Sequence, residues 1–204
     1  MLYPVNEIFY SIQGEGFHTG RPAVFIRLSG CNLKCPWCDT DHSKILKKMD
    51  EVEITRLVRE KVESIPNGND ILIVITGGEP TLYNLIPLCD AITKFELEIA
   101  IETNGFNLDR IPYYIWKTVS PKIKIQDCSY FFDDVLWTGD EIKIVFEEGI
   151  DIELLKKLPK ILKHRFKHFY IQPCSENFQP AVDFVKENPQ WTLSVQIQKV
   201  INIS

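Results

Sequence analysis

The sequence predicts an α/β fold: an incomplete, TIM-like barrel of about six parallel strands with helices outside. Three observations point there. Short apolar runs rich in β-branched and aromatic residues alternate with longer amphipathic segments along the chain. Strand–helix units of this length join parallel strands through right-handed crossovers. The chain has 204 residues, whereas a complete eight-fold barrel usually needs about 250.

The elements follow in order. Residues 23–30 (AVFIRLSG) predict a first strand, and residues 52–64 a helix through the spacing of Ile54, Leu57, Val58 and Val62. Residues 71–76 (ILIVIT) form a continuous apolar run, as expected of a strand covered on both faces. A helix is expected over 82–95, although it contains Pro87, and a third strand over 97–102 (LEIAIE), ending at the turn signal Asn104-Gly105. Residues 114–119, 142–146 and 168–172 predict strands four to six. Helices at 152–164 and 181–187 follow the last two, and a final strand is expected at 191–198. No repeat, low-complexity tract or Pro/Gly/Ser linker interrupts the pattern, so residues 1–204 read as a single domain.

Composition excludes several classes. With 23 Lys+Arg against 28 Asp+Glu the net charge is −5, and 45% apolar with 25% charged residues is ordinary for a globular chain. The mild acidity gives no footprint for direct nucleic-acid binding. No run approaches the roughly 18 apolar residues of a membrane span. The N-terminal MLYPVNEIFY is no secretory signal, so a cytoplasmic location is expected. In such a chain six cysteines point to reduced, metal-binding or catalytic thiols rather than disulfides.

The chemistry-bearing clusters all fall at the carboxyl ends of predicted strands, where sheets of this type build their sites. Cys31 follows the first strand, Gly77-Gly78-Glu79-Pro80 the second and Thr103-Asn104 the third. Ser120-Pro121-Lys122 follows the fourth, and Pro173-Cys174-Ser175-Glu176 the sixth. Cys31, Cys35 and Cys38 could wrap one face of a compact metal centre, with no fourth cysteine nearby. A [4Fe–4S] cluster normally takes four thiolates, so three would leave one iron open to bind a small molecule. A closed zinc site with His42 as its fourth ligand is the other reading of the same segment, and would make the chain a non-catalytic interaction domain.

These residues resemble a known family. CxxxCxxC with an aromatic before its last cysteine, followed by GGEP one strand–helix unit later, is similar to the signature of the radical S-adenosylmethionine enzymes. YSIQGEG at 10–16, Arg27 in the first strand and Cys38-Asp39-Thr40 narrow the resemblance to the 7-carboxy-7-deazaguanine synthase family over nearly the whole chain. That family is a set of lyases in queuosine biosynthesis. It turns 6-carboxy-5,6,7,8-tetrahydropterin into a deazapurine by hydrogen abstraction at C6, ring contraction and loss of ammonia. A glycyl-radical activase is the alternative within the superfamily.

The resemblance implies a [4Fe–4S] cluster on Cys31, Cys35 and Cys38, with S-adenosylmethionine and Mg2+ as further cofactors. Cleavage of the sulfonium by one electron would give a 5′-deoxyadenosyl radical. Substrate would meet Ile12, Gln13, Gly14, Glu15, Arg27 and Thr76, with Arg27 on its carboxylate and Thr40 on magnesium. S-adenosylmethionine would lie among Trp37, Cys38, Asp39, Gly77, Gly78, Glu79, Ser120, Pro121, Lys122, Gln172, Pro173, Cys174 and Ser175. An electron donor such as flavodoxin and a homodimer are implied partners. The chain departs from the family at Gln198, where a histidine is expected, and at its end, where a proline is common. Glutamine can still hydrogen-bond a pterin but cannot titrate. Cys89 and Cys128 read as inert thiols.

Overall fold

A strand that the apolar pattern does not announce opens the chain. β1 (Tyr3–Ile12) forms an antiparallel hairpin with β2 (Pro22–Leu28) and pairs along its other edge with the short β3 (Lys47–Met49). Only Tyr3, Pro4 and Val5 of β1 are buried and its register shifts between Val5 and Glu7, so no period-two pattern marks it. From β2 onward each neighbour runs parallel: β4 (Leu72–Gly77), β5 (Ile99–Thr103), β6 (Trp116–Val119), β7 (Glu141–Phe146), β8 (His168–Pro173) and β9 (Thr192–Leu193). This computed structural model describes residues 1–123, 138–174 and 177–203. Among them the sheet order β3-β1-β2-β4-β5-β6-β7-β8-β9 leaves β3 and β9 as edges, an open partial barrel.

The six expected parallel strands all form. The strand expected at 191–198 shrinks to the two residues of β9, and the chain then turns into α5 (Ile197–Val200). The helix expected over 82–95 is shorter too: α2 spans Ile86–Ile92, flanked by single 3-10 turns. Pro87 explains the late start, because proline suits the first turn of a helix and not its interior.

Polar caps fix the two longest helices. Asp50 accepts from Glu53 N at 2.9 Å at the start of α1 (Glu51–Glu63), and Asp151 accepts from Leu154 N at 3.0 Å at the start of α3 (Ile152–Leu162). Pro159 inside α3 has no N–H for the carbonyl of Leu155. The buried indole of Trp191, just beyond α4 (Gln179–Glu187), donates to that carbonyl at 3.2 Å.

Strand alternation separates two faces. Outward, Val24, Ile26, Ile73, Ile75 and Ile101 pack beneath Ile54, Val58, Leu88 and Ile92 of α1 and α2. Ile142, Ile144 and Ile171 pack beneath Leu155, Leu158 and Phe184 of α3 and α4. Burying each such side chain stabilises by about 1.5–3 kcal/mol. Inward, the registers align Phe25, Val74, Ala100 and Trp116 as an apolar floor. Phe17 stacks on Trp116 with centroids 4.7 Å apart, and His18 meets the same indole edge-on. Two residues above this floor the same parity turns polar, at Arg27, Thr76, Glu102 and Thr118. On β2, β4, β5 and β6 the inward side chains therefore turn polar toward the carboxyl ends.

Candidate active site

A cavity of about 710 Å³ opens at that carboxyl rim, a size suited to one or two small ligands. Around it stand Ile12 at the end of β1, Gln13, Gly14 and Glu15 from the loop after it, Arg27 and Thr76 from β2 and β4, and Cys31, Cys35, Trp37, Cys38, Asp39 and Thr40 from the loop after β2. Gly77, Gly78, Ser120, Lys122, Gln172, Pro173, Cys174 and Gln198 complete the convergence. Two expected residues do not line it: Pro121 is buried beside it, and Glu79 is buried beneath it. Ser175 lies outside the described residues, as does Cys128. A smaller cavity of about 250 Å³ near the start of β6 contains none of these groups.

The cysteine loop is seated by close backbone contact. Gly78 N donates to Leu28 O at 3.0 Å and Glu79 N to Gly30 O at 2.8 Å. A Cβ on Gly78 would collide with the Gly30 carbonyl and press on Cys31 Cβ. Gly77, at φ 149°, lies against the Leu28 backbone. Within the loop, Cys38 N donates to Cys35 O at 3.1 Å and Leu33 N to Cys31 Sγ at 3.4 Å.

Burial pushes the Cys31 and Cys35 thiols above their usual range; the nearby Cys38 adds to both rises and Cys31 to that of Cys35, while the Lys122 cation pulls both down. Lys122 is aimed by its bonds to Ser120 O at 2.6 Å and Ser120 Oγ at 2.8 Å. Among the described residues no three His, Cys, Asp or Glu converge on a lone metal ion. An iron–sulfur cube distributes its thiolates over separate irons, so three soft donors on one wall beside a lysine fit it. His42, the alternative fourth ligand, lines the cavity, and its carbonyl accepts from Gly30 N at 2.9 Å. Cys89 is fully buried in α2 among the outer helices, where burial raises its thiol to about 12.

Glu79 is an internal tie. Its Oε1 accepts from Thr81 N at 2.9 Å, Thr81 Oγ1 at 2.6 Å and Thr103 Oγ1 at 2.6 Å. Its Oε2 accepts from Asn104 N at 2.6 Å. The carboxylate thus joins the loop after β4 to the loop after β5 and shapes the glycines above it.

Arg27 and Thr40 meet on the cavity wall, Nη1 donating to Oγ1 at 3.1 Å. Arg27 is steadied by Glu7, Nε to Oε1 2.7 Å, and lies over the Phe9 ring at 5.3 Å. A fixed guanidinium beside a hydroxyl and the Asp39 carboxylate offers an anion partner and hard oxygen donors together.

The sequence reading missed the buried Lys143 and its partner Glu102. Lys143, 3% exposed, bridges Glu15 at 2.5 Å and Glu102 at 2.9 Å. Gln13 Nε2 donates to Glu102 Oε1 at 2.9 Å. Burial pushes Glu102 up to about 7, with Lys143 pulling it back and Glu15 and Glu141 adding to the rise. Burial also raises Glu15, but Lys143 and the amides of Gln196 and Gln198 outweigh it and hold this carboxyl below its ordinary value. Lys143 is held above its own ordinary value by the carboxylates, against its burial. The available signal was a charge at an inward position within a mainly apolar strand: Glu102 in IAIET, and Lys143 two residues after Glu141 in EIKIVF.

Gln198 packs against Gly14, its Nε2 donating to Glu15 Oε1 at 3.2 Å. Its Oε1 is buried with no partner among the described residues, as is Oε1 of Gln172. Both acceptors belong to residues that line the cavity, and such orphans suit a ligand rich in N–H donors.

Comparison with known proteins agrees with this geometry. Residues 25–120 match the Radical SAM superfamily. The chain is 40% identical over its full length and the relative's to 7-carboxy-7-deazaguanine synthase of Bacteroides thetaiotaomicron. It is 34% identical, again over all of both chains, to the enzyme of that name from Escherichia coli K12. The crystal structure of QueE from Escherichia coli superimposes with a TM-score of 0.77 at 30% identity, covering 96% of this chain and 94% of that one.

Proposed function

The chain belongs to the 7-carboxy-7-deazaguanine synthase family and is a radical S-adenosylmethionine enzyme, and from this we propose that it converts 6-carboxy-5,6,7,8-tetrahydropterin to 7-carboxy-7-deazaguanine with loss of ammonia. The observation that carries the proposal is the opening of three thiols, the Gly77-Gly78 turn and the Arg27–Thr40 pair onto one cavity. Cys31, Cys35 and Cys38 would hold the cluster. Bound there and reduced, it supplies the electron that cleaves S-adenosylmethionine and so the radical that abstracts hydrogen from the substrate.

The protein's share is placement. Gly77 and Gly78 admit the methionine end by exposing backbone. Gln172 offers its orphan carbonyl to the cofactor's N–H groups, and Trp37, Asp39, Ser120, Lys122, Pro173 and Cys174 wall the same side. Glu79 and Pro121 act from beneath, by shaping these loops. Arg27 pairs with the substrate carboxylate, Thr40 ligates Mg2+ beside it, and Ile12, Gln13, Gly14, Thr76 and Gln198 enclose the pterin. The amide of Gln198 serves where relatives by resemblance carry histidine, reading the pterin edge without titrating. Holding both ligands in this recess excludes water from the radical. We further propose that the whole chain acts as one domain, as a cytoplasmic homodimer reduced by a flavodoxin-like donor. Among the described residues no helix is long and apolar enough to cross a membrane.

The test is an anaerobic assay of the reconstituted protein with carboxypterin, S-adenosylmethionine and magnesium, with Thr40→Ala alongside. The expected outcome is product from the wild type, and a variant that keeps its iron and visible spectrum but responds weakly to magnesium. No product from the wild type overturns the function. Loss of iron in the variant makes Thr40 structural.

A further inference from the structure

We propose that Glu15 is the buckle of a C-terminal strap, the segment 196–203, rather than a contact of the substrate or a proton carrier. Both its oxygens are already engaged. Oε2 meets Lys143 at 2.5 Å, while Oε1 accepts from Gln196 Nε2 at 2.6 Å and Gln198 Nε2 at 3.2 Å. The backbone adds a fourth link beside it, Ile197 N to Gly14 O at 3.1 Å. Lys143 is nearly inaccessible and itself anchored on Glu102, so the buckle is fixed to the sheet.

The strap continues across the cavity mouth. Gln196, Gln198, Lys199 and Ile203 all line it, and Lys199 Nζ reaches Asp39 of the cysteine loop at 2.5 Å. That last pair is half-exposed and by itself worth little. The hold comes from the part-buried Glu15 bonds, where charge-assisted donors are stronger than neutral ones. One carboxylate therefore ties the β1–β2 loop, the sheet interior and the C-terminal segment together, and the segment in turn touches the loop that ends in Thr40. Glu15 is a positioning residue: it sets the closed wall that substrate meets.

The proposal rests on the pterin reading only for its kinetic arm. Two measurements test it. In the first, limited trypsin digestion of the holoenzyme without substrate, followed by mass spectrometry, reads cleavage after Lys199. Glu15→Gln is expected to accelerate that cut about tenfold, the scale of one or two lost hydrogen bonds, while cuts elsewhere keep their rates. An unchanged rate at Lys199 overturns the buckle whatever the substrate proves to be.

In the second, KM for carboxypterin is compared among Glu15→Gln, the double variant Gln196→Ala/Lys199→Ala, and all three changes together. If Glu15 works through the strap, each set raises KM and the combination raises it no further. Multiplicative effects would mean that Glu15 meets substrate directly, and an unaltered KM in the strap variant would mean that the segment has no part in closure. Either result refutes the proposal. A wild type inert toward carboxypterin removes the proposed function but leaves the trypsin result to decide the buckle.

Discussion

The side chain of Gln198 fills the space that any side chain at Gly14 would need: a Cβ built on Gly14 runs into Gln198 Oε1 and comes within 3.2 Å of the Gln198 backbone nitrogen. Glycine at this place is a packing requirement and not one of dihedral freedom, since its φ is not positive. Gly14→Ala should therefore displace the C-terminal segment and leave the sheet intact. The expected result is a KM for carboxypterin raised about tenfold, with stability lowered by no more than about 1 kcal/mol, because the obstructed atom is the end of a flexible side chain. Steady-state kinetics and chemical denaturation check the two halves. A large loss of stability with unchanged KM would place Gly14 in the structural core instead.

Gly78 is a harder case. Its missing Cβ would meet the Gly30 carbonyl, which is backbone and held by the Glu79 N to Gly30 O bond, and would press on Cys31 Cβ. Gly78→Ala should push the first cysteine out of place. Iron content after anaerobic reconstitution is expected to fall to a minor fraction of the wild type, with secondary structure by circular dichroism unchanged. Full iron loading in this variant would show that the loop after β2 can move away without cost.

Much of this architecture is legible in the sequence, and for identifiable reasons. The six inner parallel strands are covered on both faces, so their apolar runs stand out, and the cysteines and Gly77-Gly78 stand at their carboxyl ends as strand–helix topology dictates. β1 escapes because it is half-exposed and bulged, leaving no alternation to read. Lys143 and Glu102 escape for a different reason. Each sits in a strand that is otherwise mainly apolar, and only the register, which aligns Glu102 with Thr118 and Thr118 with Glu141, two residues before Lys143, brings them to one interior. Glu79 was legible as part of GGEP but its role was not, because two of its four donors come from Thr103 and Asn104, 24 and 25 residues away.

That saturation makes a prediction. Glu79→Gln keeps size and shape but replaces a fourfold acceptor by an amide that must turn donors toward donors. With Glu79 only 1% exposed, the mismatch cannot be relieved by water. A loss of about 2–4 kcal/mol is expected, the scale of buried charge-assisted hydrogen bonds broken on one side. S-adenosylmethionine binding, followed by equilibrium dialysis, should weaken with it, since the carboxylate supports the Gly77-Gly78 turn. A variant of wild-type stability would mean that the loops after β4 and β5 are held by other contacts.

Glu102 makes stability depend on pH in a direction opposite to that of most carboxylates. Its ordinary value is 4.5, and burial raises it to about 7 in the folded protein in spite of the Lys143 cation. Between those two values the folded chain retains a proton that the unfolded chain has released, so the stability of the fold declines as pH climbs from 4.5 to about 7 and levels off above. Glu15 works the other way, because its carboxyl is held below its ordinary value and its contribution is lost as the solution is acidified. The two can be separated by Glu102→Gln, which stays neutral at every pH and keeps an acceptor for Lys143. The melting temperature of this variant relative to the wild type should rise steadily across the window from 4.5 to about 7, with the largest gain at its alkaline end. Parallel melting curves for the two proteins across that window would mean that Glu102 is already ionised in the fold and that Lys143 fully compensates its burial.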